Sequence, residues 1–230
     1  MISVLFETST KADGNLSLTW GEQNEVETNR RSFLTRFGKT PQDCVVMEVE
    51  HGDRILQVDS SHKGQTLTAE AFITADTDVT LFLLTADCFP VGFYDPTKQV
   101  IALAHLGWRP VDKQLAVKVV EKMVQEFDSN PSDIQILIGP GIHKESYRFN
   151  NPAQNQNPEW ADFLTDLENG ETQVDLIGYI TKQLRETGVA EGNIQVSPVD
   201  TAASPQYFSH YRAARTGEPE GRIATIIGLV

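Results

Sequence analysis

The stretch Leu81-Phe82-Leu83-Leu84-Thr85-Ala86-Asp87-Cys88-Phe89-Pro90-Val91-Gly92-Phe93-Tyr94 decides the fold. It holds two short, nearly continuous apolar runs, 81–85 and 90–94, joined through Ala86-Asp87-Cys88. Runs of this length and composition, bounded by turn residues, read as strands buried in a sheet. Outward from it lie further β-rich runs at 44–49, 54–58, 71–74 and 100–104, punctuated by Gly, Asp and Pro. Six runs within about sixty residues leave no room for the long crossovers that parallel neighbours need, so a mixed or antiparallel sheet is expected.

Helical spacing brackets this β-rich centre. Val26, Phe33, Leu34 and Phe37 define one buried stripe over 22–37, closed by Gly38. Ala116, Val119, Val120, Met123 and Phe127 define another over 113–127, just after Pro110. Further on, 134–138 reads as a strand ending in Gly139-Pro140-Gly141, and 150–157 as an exposed Asn/Gln/Pro-rich loop. Trp160, Phe163, Leu164 and Leu167 suggest a helix, and Ile177, Ile180 and Leu184 a second. Strands at 194–196 and 223–229 close the chain. The expectation is an α/β (α+β) fold with mixed β-sheets flanked by helices, in one domain over 1–230.

The 230 residues, 40% hydrophobic and 22% charged, have the balance of a globular chain able to bury a substantial core. Asp plus Glu number 32 against 19 Lys plus Arg, a net charge of −13 that repels phosphate backbones and anionic membranes. A small-molecule substrate is therefore expected rather than nucleic acid or a membrane. Even an anionic one is compatible, because salt screens a diffuse field beyond about 8–10 Å. Residues 1–7 are apolar but lack a basic start and the length of a signal segment, and no stretch approaches about 18 uninterrupted apolar residues. Two cysteines whose spacing argues for no disulfide fit a reducing compartment, so a cytoplasmic location is expected. Oligomeric state is not legible.

Three segments carry chemistry: Glu50-His51-Gly52-Asp53, Thr85-Ala86-Asp87-Cys88-Phe89-Pro90 and His105-Leu106-Gly107-Trp108-Arg109-Pro110. Each places a borderline or soft metal ligand at a strand end beside small residues. His51, Cys88 and His105 together supply the three ligands typical of a catalytic zinc, which keeps its fourth position for a water whose pKa falls to about 7. Cys44 alone cannot complete a structural cysteine cage. Asp87 and Asp53 are the nearest carboxylates in sequence, candidates for orienting a ligand histidine or moving a proton, with a strand-end turn as the plainer role. Arg109, next to Trp108, is apt for bidentate contact with phosphate or carboxylate, a surface ion pair being its rival. Arg212 and Arg222 are further cationic tips near the last strand. His62 and His143 read as solvent residues, and His210 is left open.

In this order the motifs resemble the YfiH-like family, also called the multicopper polyphenol oxidoreductase or laccase-domain family. The match rests on His51-Gly52, Thr85-Ala86-Asp87-Cys88-Phe89-Pro90-Val91, His105-Leu106-Gly107-Trp108-Arg109, Gly139-Pro140-Gly141-Ile142, Phe208-Ser209 and Gly221-Arg222-Ile223-Ala224-Thr225. Trp20-Gly21 and Asn29-Arg30-Arg31 extend it to the first helix. The resemblance implies a fold similar to the catalytic domain of cytotoxic necrotizing factor, and a zinc held by His51, Cys88 and His105. It also implies a purine nucleoside enzyme that phosphorolyses adenosine, inosine and methylthioadenosine and deaminates adenosine. Cys88, His105, Asp87 and Arg109 would be the catalytic set, and Arg109, Arg212 and Arg222 the substrate-binding one. A multicopper centre takes roughly two or three His or Cys ligands per copper, and the chain has five His and two Cys, so zinc is expected before copper. The family pattern is departed from at Val49, at Leu106 and Pro110, and at His143-Lys144-Glu145-Ser146-Tyr147. Two other readings stay open: a metal-free thiol hydrolase or deamidase in which His105 activates Cys88, and a zinc-binding protein without turnover.

Overall fold

The computed structural model describes residues 3–230. The apolar runs sort into two stacked mixed sheets rather than one. The first has the order β1 (Val4–Thr8), β14 (Ile223–Leu229), β6 (Thr80–Thr85), β2 (Cys44–Glu48), β4 (Thr66–Thr68). The second runs β13 (Ile194–Val196), β9 (Gln135–Ile138), β7 (Phe89–Asp95), β8 (Val100–Leu106), β5 (Ala71–Thr74), β3 (Ile55–Gln57). β14 is antiparallel to β1 and β6, while β2 runs parallel to β6 and β4. In the second sheet β7 is antiparallel to both β8 and β9, with parallel pairs at the two edges.

Near-continuous hydrophobicity in β6, β7 and β8 follows from burial on both faces. Leu81 and Leu83 point with Val45, Met47 and Ile227 into the space between the sheets, where Phe72, Ile101 and Leu103 of the second sheet meet them. On its outer face the first sheet packs Phe82, Ala224 and Ile226 against Phe33 and Leu34 of α1 (Gln23–Thr35). The outer face of the second sheet packs Val91, Phe93 and Ala102 against α3 (Leu115–Phe127) and α4 (Leu176–Glu186). The result is a helix–sheet–sheet–helix stack. Gly92 marks a close approach between the sheets: a Cβ there would lie 2.8 Å from the Phe6 ring and 3.0 Å from Ile227 Cδ1.

Two expectations need correction. The helix expected around 160–167 is instead a 3₁₀ turn, Pro158–Phe163, leading into β11 (Leu164–Asp166), which pairs antiparallel with β12 (Thr172–Val174); β10 (Arg148–Phe149) completes a third, small sheet. Asn169-Gly170 is the reason: Gly170 takes φ +84° at the hairpin tip, a turn signal that outweighed the apolar spacing. The 113–127 helix starts at Leu115, because Gln114 is left-handed (φ 59°) and separates it from the short α2 (Trp108–Asp112). The sequence reading also missed β1 and the seven-residue α5 (His210–Thr216), capped by Ser209, whose hydroxyl accepts from the Arg212 amide. Among the described residues no helix is long and apolar enough to cross a membrane.

This topology positions the site. The chain leaves the first sheet for the second three times, after β2, β4 and β6, and His51 and Cys88 lie on the first and last of those crossings. These two crossings are sharp, with His51 at φ 61° and Asp87 at φ 86°, values that non-glycine residues seldom adopt. His105, at the end of β8, comes up beside them.

Candidate metal centre and ligand pocket

One ligand atom from each of His51, Cys88 and His105 lies within 4.8 Å of the others. The two imidazole rings meet edge to face with centroids 5.0 Å apart. His105 is buried, Cys88 half-buried and His51 exposed, so the cluster opens to one side only. Gly107 makes room for the thiol, since a Cβ at that position would sit 2.8 Å from Cys88 Sγ.

Glu70 organises this cluster. Its side chain is 1% exposed. One carboxylate oxygen is 2.7 Å from His105 Nδ1, and the other accepts the backbone amides of Glu50 (2.6 Å) and Gly52 (3.1 Å) on either side of His51. The carboxylate therefore claims the Nδ1 proton, leaves Nε2 of His105 for the site, and ties down the loop that carries His51. Burial disfavours this charge, but His105 and the two amides outweigh it and hold Glu70 below the usual carboxylate range. Burial likewise opposes a Cys88 thiolate, yet the His105 and His51 rings draw the thiol below its ordinary value. His105 is raised against its burial, with Cys88 on one side and Glu70 on the other. Without metal the pair is thus biased towards thiolate and imidazolium.

The donor set fits a borderline metal ion. Ligand bonds of about 2.0–2.3 Å in a tetrahedron place donor atoms roughly 3.3–3.8 Å apart, a modest contraction from the spacing observed. The orienting carboxylate is Glu70, not Asp87 or Asp53. Asp53 pairs with Lys118 on the surface. Asp87 borders the pocket, but its oxygens are taken by the Thr201 hydroxyl (2.8 Å) and the Tyr211 amide (2.6 Å), where it anchors the start of α5. Burial lifts its carboxyl above the usual range, despite those contacts.

Next to the cluster is a pocket of about 450 Å³, within the size range of small-molecule sites. Arg109 lies in its wall with the guanidinium 4.6 Å from the centre of the Trp108 ring. An aromatic corner faces it: Phe149 packs edge to face on both Tyr147 (4.8 Å) and Tyr211 (5.7 Å). Burial and the nearby Cys88 and Asp87 raise the Tyr147 phenol far above its ordinary value, so it stays protonated. Arg215 lies 3.3 Å over the Tyr211 ring. His210 forms part of the same wall.

Arg212 and Arg222 do not join this pocket. The Arg212 guanidinium pairs with Glu218 and donates to the carbonyls of Thr201, Ala202, Ser204 and Tyr207, which locks the preceding loop. Arg222 pairs with Glu220 and lies over Trp20, lining a different groove. His62 pairs with Asp59 at the surface. His143 is half-buried rather than solvated, its Nε2 enclosed without a partner and its ring 6.1 Å from that of Phe89. The sequence reading passed over Glu70, Tyr147, Phe149, Tyr211 and Arg215. A signal existed for two kinds of them: a lone acid between Ala69 and Ala71 at the head of an apolar strand, and the period-two aromatics Tyr147 and Phe149.

Residues 7–230 match the family model described as multi-copper polyphenol oxidoreductase laccase. The chain is 29% identical over 217 residues to the purine nucleoside phosphorylase YlmD of Bacillus subtilis, covering 89% of this chain and 77% of that protein. It is 31% identical over 222 residues to a purine nucleoside phosphorylase of Clostridium acetobutylicum, covering 95% and 89%. Among solved structures, YlmD from Geobacillus stearothermophilus superposes with a TM-score of 0.90 at 26% identity, covering 98% of this chain and 91% of that one. The hypothetical protein YfiH of Bacillus licheniformis gives 0.88 at 27%, covering 99% and 93%.

Proposed function

The chain belongs to the multi-copper polyphenol oxidoreductase laccase family, and from that premise we propose that it is a zinc-dependent purine nucleoside phosphorylase. The observation that carries this reading is the meeting of His51, Cys88 and His105 at one side of a pocket walled by aromatic rings and arginines. A purine has two π-faces and needs flat apolar walls, which Tyr147, Phe149 and Tyr211 supply. Inorganic phosphate needs planar cationic donors, which Arg109 and Arg215 supply; neither is spent on a carboxylate among the described residues. A zinc ion held by His51, Cys88 and His105 would polarise an oxygen atom brought to its open position. Glu70 would hold the His105 tautomer, and Tyr147 would donate a hydrogen bond from a phenol that does not ionise. Deamination of adenosine belongs to the same proposal, as a second outcome at the same pocket.

Incubation of purified protein with inosine and phosphate should release hypoxanthine and ribose 1-phosphate, and adenosine should yield adenine, inosine or both. Release no greater than that of a Cys88→Ala variant refutes the proposal. A second reading has its own observation: Glu70, His105 and Cys88 fall in line as an acid, a base and a thiol, the order of a cysteine hydrolase. Rapid one-to-one alkylation of Cys88 with hydrolytic turnover in metal-free protein supports it, and loss of that turnover on metal removal counts against it.

A further inference from the structure

We propose that His210, backed by Glu220, is the proton donor to the departing purine base, an inference that rests on the phosphorylase reading. His210 opens α5 in the wall of the pocket, and its backbone is pinned there twice. Ser209 caps the helix, and Asp87, adjacent to Cys88, accepts the amide of Tyr211. The ring is oriented as well. Nδ1 of His210 is 2.7 Å from Glu220 Oε1, while Glu220 Oε2 accepts from Arg222 at 3.0 Å. The His210 side chain is 61% exposed and that of Glu220 18%, so the pair sits at the solvent rim of the pocket with the carboxylate as its more buried partner. Burial opposes its charge, and Arg222 and His210 outweigh that, holding it below the usual carboxylate range. With Nδ1 engaged, the exchangeable proton is carried by Nε2, on the ring edge away from Glu220.

Every other titratable group of the pocket is committed. His51, Cys88 and His105 form the metal cluster, the Asp87 oxygens hold Thr201 and Tyr211, the Tyr147 phenol is held protonated, and the Tyr211 hydroxyl is bonded to the Arg148 backbone. Arg109 and Arg215 are permanent charges. An imidazole can give up and regain a proton in each turnover.

The step balances without any further reactant. A phosphate oxygen forms its bond to C1′ of the sugar as the C1′–N9 bond breaks, and the bonding pair moves into the purine. The proton on His210 Nε2 passes to the purine at N7. His210 recovers a proton from the phosphate hydroxyl as the sugar phosphate is released, leaving free base and ribose 1-phosphate.

A paired-substrate experiment tests this. Inosine needs its base protonated, whereas 7-methylguanosine already carries the positive charge at N7. In His210→Ala and His210→Gln, kcat/KM for inosine should fall about 100-fold or more, the range for loss of a general acid, while 7-methylguanosine changes by less than about threefold. Glu220→Gln should give the same pattern in weaker form, because it acts by positioning the ring. Equal losses for both substrates, or no loss for inosine, overturn the proposal. Wild-type protein that cleaves neither nucleoside refutes the phosphorylase reading, and this assignment with it.

Discussion

Replacing Glu70 by Gln changes one atom and should weaken metal binding more than it weakens the fold. The carboxylate serves two masters with opposite requirements for an amide: His105 Nδ1–H on one side, and the backbone N–H groups of Glu50 and Gly52 on the other, all of them donors. A glutamine with its oxygen on His105 turns its NH₂ against the two loop amides and releases the His51 loop. Turned the other way, it offers a donor to Nδ1, which drives the histidine proton to Nε2 and removes the lone pair that would bind the ion. Either orientation damages one ligand. Loss of such outer partners typically costs 10–100-fold in metal affinity, or about 1.4–2.7 kcal/mol. Competition of the purified protein with a chromophoric chelator measures the zinc affinity, and thermal unfolding with and without zinc checks it through linkage. A folded Glu70→Gln variant whose zinc Kd stays within about threefold of wild type, against the 10–100-fold expected, refutes the reasoning.

Other perturbations probe neighbouring contacts. Gly107→Ala is compatible with the backbone (φ −84°) but puts a methyl 2.8 Å from Cys88 Sγ, so zinc affinity should fall by about tenfold or more for a displaced ligand while the metal-free melting temperature moves little; unchanged affinity would place the working sulfur elsewhere. Gly92→Ala pushes a Cβ into Phe6 and Ile227 between the sheets and should cost about 1–3 kcal/mol, read as a lower denaturation midpoint at constant slope; full stability would mean that the sheets separate freely there. Zinc binding should release about one proton at neutral pH, because Cys88 is lowered to a thiolate while His105, raised, still carries the proton that the metal displaces. Affinity should accordingly rise with pH up to the raised titration of His105 and level off beyond it, and calorimetry in buffers of different ionisation enthalpy counts the protons; none released would contradict the thiolate–imidazolium pairing.

Residue type and spacing carried the reading a long way. Strand positions such as 71–74 and 223–229 were legible because burial on both faces demands unbroken hydrophobic runs, and α3 was legible because Ala116, Val119, Val120 and Met123 recur at helical spacing. The 160–167 helix failed because apolar residues of a hairpin tethered by Asn169-Gly170 happen to fall at similar intervals. Arg212 looked like a substrate contact, since a guanidinium in sequence carries no sign of the four carbonyls it will meet.

From its sequence alone, then, the chain declared which atoms can hold a metal: only two histidines and a cysteine sit at strand ends beside glycine or small residues, and ligand chemistry belongs to residue type. The fold decided everything that depends on distance through space. It put His51 and Cys88 on two separate crossings between sheets, and it set Glu70, thirty-five residues before His105 in the chain, 2.7 Å from its ring. It also turned Asp87 away to hold α5. A carboxylate's role is set by the donors it meets, and those donors are brought together by packing, which no local pattern records.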